Sequence, residues 1–89
     1  MEENKVFTSA IDVFGAEHQE DIAIEEMSEL TQAIMHNRRG RASNIPEEIA
    51  DVEIGLEQLK KIHGCAEEVA RIRTEKVKRL MESVFDKCL

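Results

Sequence analysis

Apolar residues recur at three- and four-residue intervals almost from end to end of this 89-residue chain, and single breakers cut the pattern into four runs. Val6, Phe7, Ala10, Ile11 and Phe14 share one helix face, and Gly15 interrupts them. A longer run from about Glu17 to Asn37 carries Ile22, Ala23, Met27, Leu30 and Ile34. Residues Arg38 to Asn44 read as a loop, with Gly40 as a helix stop. Asn44 with Glu47 three residues on resembles a capping box, and Pro46 suits a first helical turn. That third helix runs to about His63, where Gly64 stops it. A fourth, from about Ala66 to Phe85, carries Val69, Ile72, Val77, Leu80, Met81 and Val84. One Pro and four Gly leave little turn material for a β-rich fold. The expectation is an all-α chain, a single domain over residues 1–89, with short connections that favour an up-and-down four-helix bundle.

Charge narrows the function classes. Twelve basic residues against 19 acidic ones give a net charge of −7, which argues against a nucleic-acid partner. Three Phe, with no Trp and no Tyr, provide no stacking platform for single strands. No apolar run is long enough to span a bilayer, so no membrane partner is expected. The acidic start of the chain lacks the apolar core of an export signal, and Cys65 and Cys88 have no metal-binding spacing. Two reduced thiols fit a cytoplasmic location. A chain this small buries a modest share of its surface, and self-association is a common remedy.

The acidic residues matter by their position. With Ile22 at zero on a helical wheel, Leu30 falls near ~80°, Ile34 near ~120° and Met27 near ~140°. Glu26 falls near ~40°, inside this stripe, with Glu29 at its edge and Glu25 further out. On the third helix, with Ile49 at zero, Val52, Leu56, Leu59, Ile45 and Ile62 span ~220° to ~360°. Glu48 lies inside that arc near ~260° and Asp51 at its border near ~200°, whereas Glu53, Glu57, Lys60 and Lys61 lie opposite. Each helix therefore turns an acidic pair, three residues apart, toward the core. Four such carboxylates repel one another and cannot stay ionised without compensation. Mg²⁺ resolves this, because it takes oxygen ligands and keeps water and phosphate in its shell. The ExxH element of di-iron bundles is missing. Basic residues of the fourth helix offer a structural alternative: Arg73 and Lys76 lie within its apolar arc and Arg79 at its edge, where they could pair with the carboxylates or reach a phosphate.

Glu25-Glu26-Met27-Ser28-Glu29 reads as EExxE, and Glu48-Ile49-Ala50-Asp51 follows as ExxD on the next helix. Together with Ala23–Leu30, Glu47–Val52 and Lys76-Val77-Lys78-Arg79-Leu80, these phrases resemble the MazG-like all-α nucleoside triphosphate pyrophosphohydrolases, relatives of dimeric dUTPases and dCTP pyrophosphatases. The resemblance covers roughly residues 8 to 82. It implies an all-α bundle assembled as a homo-oligomer, a dimer or a tetramer. It implies a (deoxy)nucleoside triphosphate substrate, cut between the α- and β-phosphates to the monophosphate and pyrophosphate in nucleotide-pool cleaning. It implies Mg²⁺, with Mn²⁺ as an alternative, held by Glu26, Glu29, Glu48 and Asp51, with Glu25 and Glu26 as the catalytic pair. Lys76 and Arg79 match the KxxR positions near the phosphate tail, Arg73 within the apolar arc is a third phosphate-binding candidate, and Arg38, Arg39 and Arg41 are further ones.

Base recognition is open. Relatives that stack a Trp on the base have no counterpart here; Phe7 or Phe14, and His18, Gln19, His36 and Asn37, are the side chains available. The alternative to an enzyme is a catalytically weak nucleotide-sensing or protein-interaction module of the same fold.

Overall fold

Glycine makes the first corner. Gly15 sits at φ +94°, where a side chain would be strained, and it alone separates two helices. Its N–H donates to the Ile11 carbonyl at 2.9 Å, and its own carbonyl accepts from Gln19 N–H at 3.1 Å. This one residue closes the first helix and opens the next.

The computed structural model describes residues 2–88. Among them it is all-helical: α1 (Glu3–Phe14), α2 (Ala16–Arg38), α3 (Ile45–Ile62) and α4 (Ala66–Cys88), with no strand. Pro46 lies in the first turn of α3, as expected. The capping box does not form there: the Asn44 side chain makes no capping bond, and its backbone carbonyl accepts from Glu48 N–H at 3.1 Å instead. None of the described helices is long and apolar enough to cross a membrane.

The main contact is the α2–α3 pair, which runs antiparallel. Ala23 on α2 is 2% exposed. It lies against Gly55 on α3, where an added Cβ would stand 3.2 Å from the Ala23 Cβ. Small residues at the crossing let the two backbones come close. One end of the pair is held by Gln19 and Gln58, both buried, with Gln19 Nε2 donating to Gln58 Oε1 at 2.5 Å. The α1 helix lies across both and contributes the buried Phe7. Nearby, Lys61 Nζ donates to Asn4 Oδ1, and His63 Nε2 lies 2.7 Å from Glu20 Oε2.

The fourth helix behaves differently. Among the helices α4 touches only α3, and none of its described residues is buried. Within one chain, then, α4 does not complete a four-helix bundle with α2. The radius of gyration is 16.3 Å and the extents are 52 × 37 × 23 Å. A compact chain of this length would have a radius near 12 Å.

Candidate metal centre

The acidic pairs meet where the α2–α3 contact continues past Ala23 and Gly55. Gln19, Ala23, Glu26, Leu30 and Ala33 form one line along α2, and all are buried or half-buried. On α3 the matching line is Gln58, Gly55, Asp51 and Glu48. Antiparallel packing sets Glu26 and Glu29 opposite Asp51 and Glu48.

One carboxylate oxygen from each of Glu26, Glu29 and Glu48 lies within 4.8 Å of the other two. Asp51 is half-buried beside them, within hydrogen-bonding reach of Glu26, as Glu29 is of Glu48. Glu29 is exposed, so the cluster opens to solvent on one side. Oε2 of Glu26 and Oε2 of Glu48 are buried without a hydrogen-bond partner. The ion pairs of the described residues are Lys60–Glu57, His63–Glu20 and Arg71–Glu75, and none involves the cluster.

Crowding shows in the proton affinities. Desolvation, followed by the neighbouring Asp51, Glu29 and Glu48 charges, pushes the Glu26 carboxyl from 4.5 up to about 7. Glu48 is raised for the same reasons, desolvation first and then Glu29 and Asp51. Near neutral pH the Glu26 carboxyl is therefore only partly ionised, and a cation bound there would compete with its proton.

The donor set fits a hard divalent cation: every candidate ligand is a carboxylate oxygen, with no thiol and no imidazole among them. Oxygens bonded to one Mg²⁺ stand roughly 3 to 4 Å apart, since each bond is about 2.1 Å.

The other candidates are dispersed. Glu25 is exposed on α2 beside Glu26. Arg73, Lys76 and Arg79 are exposed on α4, which makes no contact with α2, so in one chain they do not neutralise the cluster through that helix. Arg73 borders a groove on the far side of α3. Arg38, Arg39 and Arg41 are exposed around the turn after α2. Gln19 is committed to Gln58 inside the α2–α3 contact, away from any base-reading role. Phe7 is core, while Phe14 is 61% exposed and stands 6.1 Å from the His18 ring. The Gln19–Gln58 pair and Gly55 escape a reading of apolar positions alone. Their signal is phase: Gln19 lies two turns before Glu26, and Gln58 two turns after Asp51.

No family model matches the chain, and no curated protein or solved structure matches it significantly.

Proposed function

We propose that the chain is a Mg²⁺-dependent nucleoside triphosphate pyrophosphohydrolase of the MazG-like type, which converts a (deoxy)nucleoside triphosphate and water to the monophosphate and pyrophosphate and so clears nucleotides from the pool. One observation carries the reading: carboxylates from two helices converge, with two buried oxygens unpartnered and no cationic side chain paired to them. A purely structural cluster would be expected to have such a partner.

Glu26, Glu29, Glu48 and Asp51 would hold the cation, with Mn²⁺ as the alternative to Mg²⁺. When bound, it supplies neutralising charge to the phosphate oxygens and lowers the pKa of a coordinated water. Glu26 would give up its proton to bind the cation, and its place in the α2–α3 contact holds its carboxylate toward Glu48 and Asp51. Glu25, exposed at the preceding position of α2, would accept a proton from the attacking water. Lys76 and Arg79, with Arg73, would take the phosphate tail once α4 is brought to the cleft, which calls for a homo-oligomer.

The second reading is a catalytically weak nucleotide-sensing or protein-interaction module of the same fold. The position of α4 favours it, because a lone chain brings no α4 cation to the acidic cleft. Incubation with each canonical NTP and dNTP plus Mg²⁺, resolved by ³¹P NMR, separates the two. Monophosphate and pyrophosphate are the expected products. Orthophosphate and a diphosphate would overturn the bond assignment. No turnover, with a melting shift on adding Mg²⁺ and a non-hydrolysable triphosphate, would select the binding module.

A further inference from the structure

The large unexplained feature is the bare side of α4. Val77, Leu80, Met81, Val84 and Phe85 are each at least half exposed, the most open being Leu80 at 63%. A helix with no buried side chain draws little stability from its own chain, since packing of an apolar face supplies most of it. On the far side of α3, an open groove of about 730 Å³ runs between α1, α3 and the start of α4. Phe7, Ile49, Leu56 and Leu59 wall it, and Glu3 and Glu53 stand at its border. Ile49 and Leu56, which read as core from the apolar pattern, are more than 40% exposed there.

Area and charge point to the same occupant. The chain exposes 7164 Å². A compact protein of 10.2 kDa exposes roughly 5,300 Å². The excess of about 1,800 Å² is well above the ~800 Å² that each partner contributes to a stable complex. Residues 1–65 hold 14 acidic and 6 basic side chains, whereas the distal half of α4, Lys76–Cys88, holds four basic and two acidic. The basic, apolar helix and the acidic, grooved body are complementary, yet one chain does not fold the first onto the second.

We propose that α4 is an exchange arm: its distal half, from Lys76 to Cys88, lies in the α1–α3 groove of a second copy of this chain, which returns the same contact in a two-fold dimer. Such an interface is isologous and closes on itself, so it consumes both exposed surfaces at once. An arm in this groove lies on the far side of α3 from Glu48 and Asp51, so the exchange rests on the exposed apolar surfaces and not on the metal-site reading.

The test is a photo-cross-link read by mass spectrometry. The full chain with p-benzoylphenylalanine in place of Leu80 is mixed with ¹⁵N-labelled wild type, allowed to exchange and irradiated. The expected product joins labelled to unlabelled chain, with the cross-link in α1 or in the Pro46–Leu59 stretch. Light scattering should give twice the 10.2 kDa chain mass for wild type. Leu80→Asp and Ile49→Asp should each halve it without loss of helical circular dichroism. Cross-links from arm to arm, or only within a chain, would overturn the proposal. So would a single-chain mass for wild type, or a dimer that both substitutions leave intact. None of these readouts depends on metal or turnover, so failure here is distinguishable from failure of the proposed activity.

Discussion

Glu26 is the residue on which the chemistry turns. Its carboxyl is raised to about 7 in the folded chain, above the ordinary 4.5 that it regains on unfolding. Between those values the folded state binds more protons than the unfolded one, so metal-free stability falls as pH rises from about 4.5 through about 7. A series of thermal melts in chelator should show that decline, and Glu26→Gln should flatten it, because the amide carries no charge to titrate. Mg²⁺ acts in the opposite sense: it competes with the proton, so its stabilising shift should grow as pH rises through the same window. Glu48→Gln removes one of the crowded charges and one cation ligand. The variant should fold at least as stably as wild type without metal, lose the Mg²⁺-dependent melting shift, and show no pyrophosphate release by ³¹P NMR. Normal turnover by Glu48→Gln would remove Glu48 from the ligand set.

At the scale of the elements, the α2–α3 pair is the working unit, and its register decides whether the acidic residues meet. Gly55 and Ala23 set the approach, and Gln19 with Gln58 holds the far end. A Val at Gly55 would drive its side chain into the Ala23 turn, where the nearest atoms are Cβ and backbone Cα, so the helices must part. Gly55→Val should cost roughly 1–3 kcal/mol by overpacking, measured by urea unfolding, and should weaken Mn²⁺ binding followed by EPR. The glutamine pair makes a sharper prediction. Gln19→Leu alone leaves Gln58 buried and unpaired, a loss of about 1–3 kcal/mol. Gln19→Leu with Gln58→Leu should recover most of it, because no buried polar group is then left alone.

For the whole molecule, the radius of 16.3 Å and the bare α4 describe a chain whose apolar surface exceeds what its own fold covers. Phe7, Ala23 and Ala33 are the buried apolar side chains among the described residues, a small core for 89 residues. Stability should therefore depend on protein concentration, as in dimers whose subunits complete each other. Amide hydrogen exchange offers the check. The distal half of α4 should be protected in wild type and should exchange far faster in Leu80→Asp, while the Ala23–Gly55 region keeps its protection.

The helical state and the breaks between helices were legible in the amino-acid order, since periodicity and single breakers act over a few residues. So was the placement of Glu26 and Glu48, both half-buried, on the inner side of their helices. A wheel gives angles about one helix axis and nothing about which arc a neighbour takes. Tertiary packing chose arcs lined by Gln19, Ala23 and Ala33 on α2 and by Gly55 and Gln58 on α3, because small side chains permit the closest approach. That choice brought Asp51 inward and left Met27, Ile34, Ile49 and Leu56 at least 40% exposed, although the apolar pattern reads all four as core. The same limit applies to α4, whose stripe announces that something covers it. That its own chain does not cover it was decided by the turn at Gly64 and Cys65, which sends the helix away from α2.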